Sequence, residues 1–255
     1  MRNFALRAQP HRNFLRMADP TPLIRLYPLG DAAVVLELGH SIAPATHQLL
    51  QALARLLDQS PPPGLREYVP AFTTLTVYYD PWELSQNSEV PPYEQVASYL
   101  QGLLPAAQAA TVDYVPGPLV EIPVCYGGEL GPDLAAVAQH TQLSEAEVIQ
   151  LHSVAEYLVY MVGFAPGFPY LGGLDARLAT PRRAVPRPLV PAGAVGIAGL
   201  QTGIYSLPTP GGWQLIGRTP RRLFDAGRAQ PSLLQAGDRL RFVPISAAEF
   251  HRLNA

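Results

Sequence analysis

From Leu23 to Leu38 the run LIRLYPLGDAAVVLEL places apolar residues on both sides of Gly30-Asp31, which predicts two β segments about a turn. The period then lengthens. Leu49, Leu50, Leu53, Leu56 and Leu57 share one face at helical spacing, with Ser41 and Pro44 as start signals and the prolines at 61 to 63 as the stop. LREYV and TLTVYY predict a pair of strands closed by Asp80-Pro81, and Val96, Leu100, Leu103 and Leu104 mark a second amphipathic helix. Strand, helix, strand and helix joined by short links predict a small α+β sandwich of ferredoxin-like type, with its leucines as core.

The link Tyr114-Val115-Pro116-Gly117-Pro118 is the expected domain boundary. It divides the chain into a tail over 1–20, an α+β domain over 21–116 and a second domain over 117–255. In the second domain LVEIPVCY reads as a strand and Asp133 to His140 as a short helix. Ser144 with Glu147 reads as a capping box, and YLVYMVGF, apolar on both faces, as a buried strand. VGIAG, GIYSL, WQLIG and DRLRFV follow as short strands between Gly and Pro breakers. So many edges are best managed by closure, so the expectation is a closed β structure with helices packed outside.

With 255 residues, 48% hydrophobic and a net charge of −2, the composition fits a soluble globular protein and gives no bulk charge for nucleic acid. All 18 cationic side chains are arginine. The absence of lysine excludes Schiff-base and pyridoxal-lysine chemistry and a P-loop lysine, so any nucleotide must be held by arginine and backbone N–H groups. No arginine occurs between Arg66 and Arg177, while acidic residues run from Glu67 to Asp175. The middle of the chain therefore offers an acidic surface for a partner, and the last third a basic cleft for an anion. The single cysteine, Cys125, lies in an apparent strand and reads as a buried structural thiol; the six histidines lack zinc-site spacing. There is no bilayer-length apolar run and no signal-peptide h-region, and the expected location is cytoplasmic. Arg2-Asn3-Phe4 recurs as Arg12-Asn13-Phe14, and Met17 precedes the first well-formed segment, so Met1 to Ala18 reads as a disordered tail or an over-extended start.

Candidate chemistry concentrates between Gly163 and Phe224, in GFAPGFPYLGGL, TPRRAVPRP, VPAGAVGIAG, QTGIYSLPTPGGW and LIGRTPRRLF. Glycine admits close backbone approach and proline rigidifies the loops. Arg182, Arg183, Arg187 and Arg218 stand beside these breakers, where a guanidinium can meet a carboxylate or phosphate bidentately. The competing reading is the rim of an ordinary small barrel. Phe164, Pro166, Phe168, Tyr170, Tyr205 and Trp213 are candidate cleft lining, although Trp, Tyr and Arg also anchor interfaces. Gln201 and Thr202 can hydrogen-bond a ligand or cap a turn. His152 is a candidate general base, weighed against a buried, hydrogen-bonded histidine on the same helix side as Val148 and Leu151. Asp31 and Asp80 occupy turn positions and are assigned to structure. No nucleophile elbow, serine triad signature or metal motif points to independent catalysis.

GFAPGFPYL, PRRAVPRP, VPAGAVGIAGLQTGIYSLPTPGGWQLIGRTP and GDRLRFVPIS, with GDAAVVLELG, REYVPAFTTLTVYYDP and EIPVCYGG upstream, resemble the PxpB/KipI family. Its members go under several descriptions: the B subunit of 5-oxoprolinase, the first subunit of allophanate hydrolase, and carboxyltransferase proteins of C/D type. The resemblance implies an N-terminal α+β domain and a C-terminal cyclophilin-like β barrel. It also implies a subunit of an ATP-dependent 5-oxoprolinase, an amidohydrolase that opens 5-oxoproline to glutamate. Its partners would be a homologous larger carboxyltransferase-like subunit and a third subunit, with ATP used at the level of the complex. Other branches imply inhibition of a sensor histidine kinase, or urea carboxylase and allophanate chemistry. Against that background Arg182, Arg187 and Arg218 become the candidate clamp on an anionic substrate, with the N–H groups of Gly211 and Gly212 beside the developing negative charge.

Overall fold

The chain is represented by a computed structural model that describes residues 24–86, 88–112 and 115–254. The expectations for the tail, for Met1 or Met17 as the start, and for Tyr114 in the link lie outside those residues. The first described strands are β1 (Arg25–Pro28) and β2 (Ala33–Glu37), antiparallel about a turn at Gly30, whose φ is +66°. Helix α1 (Pro44–Gln59) follows, then the hairpin of β3 (Leu65–Pro70) and β4 (Thr74–Tyr79), the short α2 (Pro81–Gln86) and the long α3 (Pro92–Ala110). The order in the sheet is β1-β2-β4-β3, with β4 antiparallel to both its neighbours. Strand alternation is plain in β4, where Leu75, Val77 and Tyr79 are buried and the intervening residues are half-buried. Val34, Leu36, Leu75 and Val77 pack against Leu50, Leu53 and Leu57 of α1 and Val96 and Leu100 of α3. The predicted leucine face is core. Asp80 acts as expected at a turn: its carboxylate accepts from the N–H groups of Trp82 and Glu83 at the start of α2 and pairs with Arg66.

The second half supplies β5 (Leu119–Tyr126), α4 (Leu134–Thr141), α5 (Glu145–Val154), β6 (Tyr157–Val162), β7 (Pro169–Gly172), β8 (Arg187–Val190), β9 (Ala194–Ala198), β10 (Gln201–Ile204), β11 (Thr209–Gly211), β12 (Gln214–Arg218), β13 (Arg239–Pro244) and the terminal α6 (Ala247–Leu253). Seven of these strands close into a barrel. The ring runs β10-β7-β6-β13-β5-β12-β9, antiparallel except for β13 against β5. A separate two-stranded ribbon of β8 and β11 lies outside the ring. Local pattern does not predict the ribbon, because PRP and TPG read as loop. The capping box at Ser144 and Glu147 is present in both directions.

Residues of opposite parity in the barrel wall serve two cores. Val195, Ile197 and Ile216 join Ile122, Val124, Leu240, Phe242 and the helix residues Leu134, Val137 and Val148 in the main cluster. Ala194, Ala198 and Leu215 face the other way, into a smaller cluster with Phe168, Val190, Tyr205 and Trp213. The small residues of VGIAG are needed on that face. A Cβ on Gly196 would stand 3.1 Å from the Trp213 Cβ, and one on Gly203 3.1 Å from the Trp213 ring and 3.2 Å from the Phe168 ring. The two halves meet through rings: His47 of α1 packs edge-on to Tyr160 at 5.2 Å, and Phe72 packs against Tyr160 and Tyr170.

Candidate functional site

The smaller core is also the floor of a cleft. Phe164, Phe168, Tyr170, Arg182, Pro186, Tyr205, Pro210, Gly211, Gly212 and Trp213 enclose about 350 Å³ on the outer face of the barrel wall. Each aromatic is set by its element. Phe168 and Tyr170 come from the entry to β7, Tyr205 from the end of β10, and Trp213 from just before β12. Phe168 is the hub, with edge-on contacts to Phe164, Tyr170, Tyr205 and Trp213 at 5.1 to 5.8 Å. At the mouth, Phe164 is 68% exposed and holds a φ of +67° in a tight loop closed by the Gly163 N–H donating to the Phe168 carbonyl. A bulky residue in the left-handed region stores strain for an exposed ring, which is a common mark of a functional loop. Gly211 is required because a Cβ there would run into the Tyr205 hydroxyl.

One guanidinium lines this cleft. Arg182 is exposed to it and has no carboxylate partner among the described residues. Burial raises the Tyr205 hydroxyl above its ordinary value, and the positive charges of Arg182 and Arg187 pull in the opposite direction.

The structure thus brings Phe164, Phe168, Tyr170, Tyr205, Trp213, Arg182, Gly211 and Gly212 together and sends the other sequence candidates elsewhere. Pro166 is exposed in the adjoining loop, outside the lining. Arg187 is tied into the structure: its Nη2 donates to Asp133 Oδ1 at 2.8 Å and Arg183 Nη1 donates to the same oxygen at 3.1 Å, so both guanidiniums are turned to that carboxylate and neither lines the cleft. Arg218 faces a second cleft and donates through Nε to the Ala192 carbonyl at 2.9 Å. Gln201 lies at the start of β10, away from the lining.

His152 and Thr202 are corrected from ligand groups to core. His152 is fully buried, stacked on Phe242 at 4.4 Å. Its Nδ1 is 2.8 Å from the Tyr126 hydroxyl and its Nε2 2.8 Å from Thr202 Oγ1, while the Thr202 hydroxyl donates to the Gly196 carbonyl at 3.0 Å. That last bond fixes the direction of the others: Nε2–H donates to Thr202, and Nδ1 accepts from Tyr126. The chain of bonds is complete only with a neutral imidazole. Desolvation agrees, pushing His152 down to about 3 and raising Tyr126 well above the ordinary tyrosine value.

The buried imidazole makes stability depend on pH. A histidine held low in the folded state takes up its proton more readily when unfolded, so stability is full above about pH 6.5 and falls as pH drops towards 3, by about 1.4 kcal/mol per unit. His47, pushed to about 4 by burial, acts in the same sense. Urea unfolding between pH 7.5 and 5 should show the decline. A flat profile would mean that neither histidine is held neutral by the fold.

Asp133 carries more than its place at the start of α4, the role that sequence reasoning assigns it. It is 5% exposed, and besides the two arginines its Oδ2 accepts from the Leu215 N–H at 2.7 Å. The Asp133 N–H donates to the Leu215 carbonyl, and the Arg183 N–H to the Gly212 carbonyl. Asp133 therefore pins the segment 183–187 against 212–215, forming one wall of the cleft. Nothing in the sequence hints at this role, since Asp133 lies in the middle of the arginine-free acidic interval between Arg66 and Arg177.

Comparison with known proteins adds an independent line. Residues 24–234 match the family described as carboxyltransferase domain, subdomain C and D. The chain is 49% identical over 226 residues to the B subunit of 5-oxoprolinase from Bacillus subtilis (strain 168), covering 88% of this chain and 93% of that protein. Among solved structures, that of TTHA0988 superposes with a TM-score of 0.70 at 40% identity over 85% of this chain; the match spans only 40% of that longer chain. The urea amidolyase of K. lactis, at 18% identity, superposes with a TM-score of 0.71 over 93% of this chain and 16% of its own, which shows a shared fold.

Proposed function

Because the chain belongs to the family of the carboxyltransferase domain, subdomain C and D, we propose that it is a subunit of an ATP-dependent 5-oxoprolinase that hydrolyses 5-oxo-L-proline to L-glutamate. The observation that carries the reading is 49% identity, along nearly the whole of both chains, with the B subunit of 5-oxoprolinase from Bacillus subtilis (strain 168). The first cleft supports it chemically. 5-Oxoproline is a flat five-membered lactam bearing a carboxylate, and an aromatic floor beside the Arg182 guanidinium, which has no carboxylate partner among the described residues, offers a ring contact and a bidentate anion contact together. The edge at Gly211 and Gly212 lets a substrate approach the backbone closely.

On this reading the chain works with a homologous larger carboxyltransferase-like subunit and a third amidohydrolase subunit in the cytoplasm, and has little activity alone. ATP is consumed by the assembly. No described helix is long and apolar enough to cross a membrane. We also read the barrel as cyclophilin-like and the chain as two domains divided at about 116–117. The N-terminal sheet is read as ferredoxin-like, because β2 crosses over through α1 to the parallel β3 with β4 inserted between them, and α3 follows β4.

The test is reconstitution. ATP-dependent release of glutamate from 5-oxoproline should require this chain in addition to the two partner subunits. Full turnover with this chain left out would end the proposal, and a stable complex that turns over urea-type substrates instead would reassign the substrate.

A further inference from the structure

A second cleft of about 460 Å³ opens beside the first, and one loop serves both: Tyr205, Pro210 and Gly211 face the aromatic cleft, whereas Ser206, Leu207 and Pro208 line the second. The opposite wall carries Arg218, Arg221 and Arg222, three guanidiniums in five residues. Their charges are poorly compensated. Arg222 shares the partly exposed Asp225 with Arg228, at 3.3 and 3.5 Å, while Arg218 and Arg221 have no carboxylate partner among the described residues. Arg218 is oriented by its Nε bond to the Ala192 carbonyl, which leaves its two terminal nitrogens to the cleft. The backbone at Arg221 is turned by its N–H donating to Thr219 Oγ1 at 3.1 Å.

An independent observation comes from the facing loop. Ser206 is 5% exposed, lines this cleft, and its Oγ is buried without any hydrogen-bond partner among the described residues. A hydroxyl taken out of water without a partner is costly, and native proteins retain such a group where a water, an ion or a ligand completes it. The charged side chains that line the same cleft are all positive, so that partner is an acceptor. Two uncompensated guanidiniums and a hydroxyl exceed what a single carboxylate, with one charge and two oxygens, would satisfy. A tetrahedral dianion with three or four acceptor oxygens matches them.

We propose that this second cleft binds a phosphate group, held by Arg218, Arg221 and the Ser206 hydroxyl. Phe224 and Leu253 give it an apolar flank, so the volume admits an organic group attached to the phosphate. The inference gives Arg218 a ligand distinct from the one expected of it in the aromatic cleft. It does not depend on the 5-oxoprolinase reading, because binding is measured on the full chain by itself, without turnover.

The experiment is isothermal titration calorimetry at low salt with inorganic phosphate, then ADP and ATP without metal. Saturable binding to one site is expected, weakened about tenfold by either Arg218→Ala or Arg221→Ala, severalfold by Ser206→Ala, and abolished by the double arginine variant. Arg182→Ala, in the other cleft, should leave it unchanged. Tighter binding of ADP and ATP than of inorganic phosphate assigns the group to a nucleotide; equal or weaker binding assigns it to free phosphate. Thermal melting checks that each variant is folded, and Arg221, exposed and outside any core, keeps the test available if Arg218→Ala is unstable. No saturable binding of any of the three at millimolar concentration, or binding that survives the double variant, would overturn the proposal.

Discussion

Asp133→Ala is expected to destabilise the protein by about 3 kcal/mol, since it strands a half-buried guanidinium and a buried backbone N–H at once. The loss sits at the lower end of the range for broken buried pairs because Arg183 and Arg187 keep 38% and 21% of their side-chain surface. Solvent screens what remains of their charge. The substitution also frees the segment 183–187 from 212–215, so the wall that carries Pro186 and Gly212 loosens and turnover in the assembly falls with stability. Asp133→Asn keeps the shape and one acceptor and should cost about half as much. Urea unfolding with linear extrapolation measures both. A loss below about 1 kcal/mol for the alanine variant would mean that the cluster behaves as a surface ion pair.

Arg182→Ala should lower kcat/KM for 5-oxoproline in the reconstituted assembly by about 100-fold, the effect of losing a charge-assisted, two-pronged contact to an anion. Arg182 is exposed and lines an open cleft, so stability and assembly should be unchanged. Arg182→Lys should recover only part of the loss, because an ammonium offers charge without the planar fork. If the guanidinium holds the substrate carboxylate alike throughout the reaction, the loss falls on KM; if it meets charge that develops during lactam opening, the loss falls on kcat. Unchanged kinetics for the alanine variant would move substrate recognition out of this cleft.

The separation of Arg182 from Arg187 shows where sequence reasoning stops. The two lie five residues apart in one proline-rich run and read as equivalent. Arg187 is paired with Asp133, which is more than fifty residues away in sequence, and no local pattern announces that pairing. His152 is similar. Its helix side hints at burial, but only Tyr126 and Thr202, brought from β5 and β10, fix its tautomer and exclude it as a base. Ser206 gives no signal, since an unpartnered hydroxyl can be recognised only once its surroundings are known.

The sequence by itself determined the local events: the leucine faces of α1 and α3, the capping box at Ser144, the turn at Gly30, the many short strands that demand closure, and the aromatics and glycines of the first cleft. These follow from periodicities and backbone preferences that act within a few residues. It also carried the family resemblance. The tertiary structure alone decided which arginines face a cleft and which are paired, that two clefts flank one loop, and that β8 and β11 form a ribbon outside the ring. Charge pairing and burial depend on distances between segments far apart in the chain, and barrel closure sets those distances.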